Sequence, residues 1–492
     1  MYRKNVFFAA IGIFALLAYG PSPLVAAEKP DDGQINNWVE SAINLDPRIM
    51  SMNLDVQTLD GIVTLEGKVK SLAARKFARL EAQKINGVTG VIDNLEVEPD
   101  YRPDSEISAD IMKGFNESAV VAGDRLKATV ADGQVTLLGS VTSNVEKVEA
   151  TNLASQVPGV KSVDNEIRVI FELSRPDHEI ADDVLAKINR DVYLARMPIK
   201  VSVKDGNVSL NGSVGNAFQK ERAYNDAFLV DNVVDVDNHL KVIWQEEEGV
   251  RNAVTAPTDS GLVRSVEDEL YQDLRIREPW AMTVTADYGM VTLEGKLPTY
   301  YQKKIAEQDA KDVVGVGWVE NLITVGSEKH SDKAIMDEAV SRLDADVYVD
   351  AERIDVKSDQ GNVTLTGTLN STFEKERALY DIESIPGIRD IKNDIQIDWL
   401  KRYSDREIKQ DLVDRLNANW DTSPVLKQIF IAVDNGKIIL TGIVNRWSQY
   451  NEIARIAFQT SGVWSVDNRL EVYGAEQDWK ARENNSQAGL LN

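Results

Sequence analysis

Six glycines set the frame of this chain. Gly61, Gly133, Gly206, Gly289, Gly361 and Gly436 recur at intervals of 72, 73, 83, 72 and 75 residues, and each is followed six residues later by another: Gly67, Gly139, Gly212, Gly295, Gly367 and Gly442. Twenty residues further on stand Gly87, Gly159, Asn232, Gly315, Gly387 and Gly462. Asn tolerates positive φ better than most side chains, so Asn232 keeps the pattern. A length of 492 residues alone argues for about three domains. The repeat argues for six small ones.

Each unit reads the same way. An Asp precedes an aliphatic by three residues at Asp32, Asp104, Asp177, Asp259, Asp332 and Asp405, the expected N-cap of an amphipathic helix such as Ile335, Ala339, Val340 and Leu343. Ile199, Val201 and Val203 then alternate up to Asp205-Gly206, with Val208 and Leu210 beyond, which predicts a hairpin with a type I′ turn. Tyr288-Gly289 and Gln360-Gly361 are weaker versions of that turn. The second glycine falls inside the outgoing strand, where it marks a bulge or a helix packed closely overhead. A second helix carries alanines four apart, as at Ala78/Ala82 and Ala223/Ala227, and is expected to end at the third glycine. A last strand closes the unit, as in Gly462 to Val472. The fold class is therefore α+β: six tandem α-β-β-α-β domains, each a three-stranded sheet packed by two helices. Expected boundaries are 28–99, 100–172, 173–244, 259–327, 328–399 and 400–474, with a linker at 245–258 and a C-terminal tail at 475–492.

Residues 1–27 have the layout of a signal peptide: Arg3 and Lys4, an apolar run from Val6 to Tyr19, and small residues ending at Ala27. The run is short of the ~20 residues that cross a bilayer, so cleavage and export to the periplasm are expected. The chain carries 55 Lys+Arg against 79 Asp+Glu, a net charge of −24, which disfavours general binding to nucleic acid. The absence of cysteine removes disulfides, thiolate catalysis, Cys-ligated zinc and lipoprotein acylation.

The repeated G-x-V-x-L-x-G followed by G-V-x-x-V-x-N-x-L-x-V resembles the BON family of bacterial envelope domains, over 32–97, 104–169, 177–242, 259–325, 332–397 and 405–472. Departures are Asp93 where the other repeats have Asn, Asn232 for glycine, and Ile453 for the first alanine of the pair. The resemblance implies a non-enzymatic periplasmic or cell-surface module that contacts phospholipid membranes and is linked to envelope and osmotic stress.

Catalytic motifs are not found. His178, His239 and His330 stand singly in three repeats, without the spacing of metal ligands. Gly61 to Lys68 and Gly289 to Lys296 mimic a phosphate loop but have five residues between the glycines, and Val69 and Leu297 replace the required hydroxyl. Carboxylates recur at caps and turns, so no pair is singled out as an acid/base couple. No cofactor and no metal are expected.

One charge feature stands out. Lys68, Lys70, Arg75, Lys76, Arg79 and Lys84 face only Glu81 over 68–84, a local +5 on an acidic chain. This is either a solvated helix face or a contact surface for anionic headgroups, where each basic residue adds about 1 kcal/mol near a membrane. Phe171, Trp244 and Trp399, just past last strands, are read as staples between neighbouring modules. Trp420, Trp447, Tyr450 and Trp464 concentrate aromatics in the sixth repeat, as a larger core, an interfacial belt or a sugar platform. The function expected is binding of envelope surfaces, phospholipid first; the alternative is an adaptor for protein partners or cell-wall polymer.

Overall fold

The computed structural model describes residues 29–472, apart from 47–48, 50, 119, 172, 196, 245–257, 274, 277, 327–329, 347–348 and 399–402. The expected signal peptide, most of the expected linker, Trp399 and the expected C-terminal tail lie outside the described residues.

Six α-β-β-α-β units follow one another. In each, the outgoing hairpin strand is central, antiparallel to the incoming strand and parallel to the last one. The last strand runs unbroken in the first and sixth units (Gly90–Val97, Ser465–Val472) and is split in the other four. At the split, the Asn side chain takes a backbone amide two residues on, as Asn165 Oδ1 does from Ile167 N at 3.0 Å.

The six first helices begin at Asp32, Asp104, Asp177, Asp259, Asp332 and Asp405. These aspartates are not the N-caps expected from sequence; Asp31, Pro103, Pro176, Thr258, Ser331 and Ser404 hold that place. Their carboxylates instead reach across to the hairpin. Asp177 accepts from Asp205 N at 2.9 Å and Gly206 N at 3.0 Å, and the same pair of hydrogen bonds recurs in all repeats but the fourth, where Asp259 keeps one longer contact to Gly289. Two amides converge there because both turn residues have positive φ, 54° at Asp60 and 77° at Gly61, as type I′ geometry requires. Tyr288 and Gln360 adopt it as well, so the turn prevails over side-chain preference.

The second glycine is needed for a different reason from the one expected. Gly212 has φ 123°, and a Cβ there would lie 1.9 Å from the Pro198 carbonyl oxygen, just before the incoming strand; no helix crowds it. The third glycine also serves differently. The second helix of repeat 1 stops at Gln83, and Gly87 (φ 89°) lies beyond the next turn, against Ile35 of the first helix.

Each repeat has its own apolar core. In the third, Ile180, Val184 and Ile188 from the first helix meet Val208, Leu210 and Val214 of the central strand and Ala223 and Ala227 of the second helix. Full burial of each aliphatic is worth about 1.5–3 kcal/mol. Ile453, which replaces an alanine in repeat 6, is buried in that unit's core.

The units are not beads on a string. The first residue of every second helix seats in the next repeat. Leu72 packs into the core of repeat 2, Asn144 Nδ2 donates to Phe228 O (2.8 Å) and Val233 O (2.7 Å) of repeat 3, and Ala217 enters the core of repeat 1. Likewise Tyr300 packs on repeat 5, Thr372 Oγ1 donates to Phe458 O of repeat 6, and Trp447 enters the core of repeat 4. Repeats 1, 2 and 3 thus close one ring, and repeats 4, 5 and 6 a second. The rings dock pairwise. Asn86 N donates to Ala418 O (2.8 Å) between repeats 1 and 6, Lys113 pairs with Glu338 (3.2 Å) between 2 and 5, and Val192 N donates to Asp312 O (2.8 Å) between 3 and 4.

Gly212→Ala is expected to lower the unfolding free energy by at least about 1–3 kcal/mol, because the positive φ and the blocked carbonyl both oppose a side chain. Ala227→Gly at a helical site is expected to cost about 1 kcal/mol. Urea titration of the two variants checks the order.

Candidate interaction surface

The basic segment of repeat 1 spans the end of the central strand, Ile62–Val69, and the second helix, Leu72–Gln83. Its six cations do not share one face. Lys68 pairs with Glu98 (3.2 Å) and Lys70 with Asp100 (3.0 Å) beside the last strand. Arg75 turns back to the sheet, its Nε 3.0 Å from Asp93 Oδ2 and its Nη2 3.0 Å from Asp93 O. The remaining three point into other repeats. Lys76 Nζ donates to Asn152 of repeat 2 at 3.3 Å, Arg79 pairs with Glu221 of repeat 3 at 3.0 Å, and Lys84 with Glu452 of repeat 6 at 3.4 Å. Burial, with the nearby Arg79 charge, pushes the Lys76 ammonium below its usual range. Burial alone would raise the Glu452 carboxyl, yet Arg455 and Lys84 hold it well below the carboxylate range. The local positive charge therefore faces acidic neighbours within the chain.

The Arg75 contact also explains the Asp93 departure. In repeats 2 to 5 the corresponding Asn donates to a lysine carbonyl on the second helix, as Asn238 Nδ2 does to Lys220 O at 2.8 Å. A carboxylate has no such donor, and the arginine side chain supplies the link in reverse. Sequence reading singled out both positions without pairing them; a spacing of 18 residues common to all repeats was the available signal.

The aromatics of repeat 6 are seam wedges more than its own core. Trp447 is 5.4 Å from Trp318 of repeat 4, and Trp420 lies 5.8 Å from Phe218 and 6.1 Å from Tyr193 of repeat 3. Trp464 is exposed, with its indole N–H on Asn435 O at 2.7 Å. Trp244 acts as the expected staple, donating to Asn86 of repeat 1 at 3.3 Å. Phe171 is half-buried. His178, His239 and His330 remain in separate repeats, and among the described residues no cluster of three or more His, Cys, Asp or Glu is arranged to hold a metal ion.

On the outer face of each sheet, one residue of the incoming strand marks the equivalent exposed position: Asp55, Lys127, Lys200, Thr283, Asp355 and Phe430. They comprise two aspartates, two lysines, a threonine and a phenylalanine, whereas the inward positions on either side are apolar, as at Leu126 and Ala128.

A profile of the BON domain matches residues 31–99, 103–170, 176–243, 258–327, 331–398 and 404–474, nearly all of the described chain. The chain belongs to the BON-domain family. Among BON-domain relatives, Osmotically-inducible protein Y of Escherichia coli is 32% identical over 145 residues, covering 28% of this chain and 72% of that protein. Outer membrane lipoprotein DolP of Haemophilus influenzae is 29% identical over 171 residues, covering 33% of this chain and 88% of that protein. The C-terminal domain of CdsD, a structural protein of the type III secretion system of Chlamydia trachomatis, aligns with 46% of the chain at 16% identity, with a TM-score of 0.12 that carries no weight for the fold. Among the described residues no helix is long and apolar enough to cross a membrane.

Arg75→Ala is expected to destabilise BON repeat 1 by about 1 kcal/mol, since the half-buried Asp93 loses its partner. The double change Arg75→Lys with Asp93→Asn, which installs the arrangement of repeats 2 to 5, is expected to recover most of that loss. Thermal unfolding of the three proteins measures it.

Proposed function

We propose that this protein is a non-enzymatic, exported component of the bacterial envelope that acts in osmotic-stress protection as a closed adaptor, contacting protein partners or cell-wall polymer through its outward sheet faces. The relatives named for osmotic induction and for an outer-membrane lipoprotein support the setting. The carrying observation is the divergence of Asp55, Lys127, Lys200, Thr283, Asp355 and Phe430 over one repeated position. Six copies of a single headgroup site would keep one chemistry there; this position carries two acids, two lysines, a threonine and a phenylalanine.

A second reading, phospholipid binding, is favoured by Lys68 and Lys70, which do not point into another repeat and whose side chains are 43% and 31% exposed. Each already has a carboxylate beside it, and the net charge of −24 repels anionic lipid.

The test sets vesicles with and without phosphatidylglycerol, and purified cell-wall sacculi, against the full-length exported protein, with site-specific cross-linking from position 430 in cells at high osmolarity. The adaptor reading expects cross-links from Phe430 and no sedimentation with vesicles. Binding to anionic vesicles that falls with salt and disappears in Lys68→Glu/Lys70→Glu would overturn it in favour of lipid.

A further inference from the structure

Buried acid pairs recur at one place in three consecutive repeats. The residue capping the C-terminus of the first helix and a residue near the end of the second helix are both aspartates: Asp191 with Asp226, Asp273 with Asp309, and Asp346 with Asp381. One arginine serves each pair. Arg222 Nη2 is 2.6 Å from Asp191 Oδ2, Arg275 binds Asp273, and Arg377 binds Asp346. The second member is left short: Oδ2 of Asp226, of Asp309 and of Asp381 is buried and meets no hydrogen-bond donor. Asp309 lies within hydrogen-bonding reach of Asp273, and Asp381 of Asp346, the arrangement in which two carboxyls share one proton.

The first of these pairs sits in the seam between the rings. Around Asp226 stand Lys187 and Arg190 of the first helix and Arg222 of its own helix. From repeat 4 come Glu269, bonded to Lys187, and Asp312, 3.0 Å from Arg222. With Asp226 neutral, three cations balance Asp191, Glu269 and Asp312; its ionisation adds an uncompensated charge beside a small crevice between the repeats. Asp309 faces Asp273, Arg275 and Glu269 of its own repeat and Lys187 of repeat 3. Asp381 faces Asp346, Arg377 and Arg342; Arg342 is bonded to Glu338, which holds Lys113 across the seam between repeats 2 and 5.

We propose that Asp226, Asp309 and Asp381 are protonated latches: the closed two-ring body holds a proton on each pair, and loss of those protons in alkaline medium loosens the seams they border, that between repeats 3 and 4 for Asp226 and Asp309 and that between repeats 2 and 5 for Asp381, while the modules stay folded. Burial, then the Asp191 charge, raises the Asp226 carboxyl to about 8. Burial and Asp346 raise Asp381 to about 8, and burial and Asp273 hold Asp309 well above its ordinary value. The sign follows from linkage. A solvated carboxyl loses its proton near pH 4, so the docked form binds extra protons, and docking weakens as pH climbs from about 4 to about 8. The modules keep their apolar cores throughout, because none of these groups lies in a core cluster. The inference rests on the closed arrangement and not on which partner the sheet faces bind.

Amide hydrogen exchange on the full-length exported protein tests it. The reporters are Val192 and Val314, whose amides cross the seam to Asp312 O and Arg190 O, each 2.8 Å, with Val208 and Leu210 of the central strand as controls. After correction for intrinsic exchange, protection at the seam is expected to fall as pH rises from about 5 to about 8, by up to about tenfold per pH unit for each proton released, and to level off above that, with the controls unchanged. The variant Asp226→Asn/Asp309→Asn/Asp381→Asn is expected to hold seam protection constant. On the unmodified protein, an infrared band of protonated carboxyls is expected at neutral pH and is expected to weaken as Asp226 and Asp381 lose their protons near pH 8. Seam protection independent of pH, an equal fall in the triple variant, or no protonated-carboxyl band at neutral pH would each overturn the proposal.

Discussion

A single carboxylate bridging two amides holds each of these small units together. Asp32 at the first position of a helix reaches both donors of the turn at Asp60-Gly61, and its counterparts do the same in the other repeats, with one weaker instance at Asp259. The helix N-terminus already favours a negative charge, and the turn offers two convergent N–H groups only because both its residues lie at positive φ. Helix and hairpin are thereby fixed at one corner. The turn is also tied to the loop after the second helix, through Thr89 N on Gly61 O at 2.8 Å. With that corner set, the aliphatic stripe of the first helix can fall only onto the inward face of the sheet, and the paired alanines of the second helix close the layer.

Two kinds of cohesion follow. Within a unit the contacts are apolar and fully desolvated, as among Val184, Leu210 and Ala227. Between units the apolar seats of Leu72, Ala217, Tyr300 and Trp447 are joined by ion pairs: Lys84 to Glu452, Arg79 to Glu221, Lys187 to Glu269. The apolar contacts are insensitive to solution conditions near neutrality, while the charged ones answer to pH. The concentration of lysine and arginine at 68–84 belongs to this second kind, since repeat 1 supplies cations to three other repeats, at Asn152, Glu221 and Glu452.

Much of this was legible in the sequence. The glycine spacing revealed the unit, its copy number and the order of its elements, because backbone conformations at positive φ restrict residue choice so strongly. The reason for each glycine was less legible. At Gly212 the obstacle is a carbonyl brought close by strand pairing, and periodicity cannot say what stands opposite. Asp177 was recognised as a helix-start residue, but its acceptor role across 28 residues depends on tertiary structure. The candidate site was the least legible part. Charge counting placed Arg75, Lys76 and Arg79 together along the chain, whereas their partners Asp93, Asn152 and Glu221 are brought up by the fold, two of them from other repeats. The seating of Leu72, Asn144 and Trp447 in neighbouring repeats carries no sequence signature, since each seat uses a different side chain.

Those seats have a bearing on how such a chain can grow. An open solenoid lengthens or shortens by one repeat and merely relocates its end. Here every second helix has a receiving neighbour, and the third and sixth return to the first and fourth. Deleting one module would leave an empty socket and an idle plug at once, so viable descendants of this architecture are expected to change size in whole triplets.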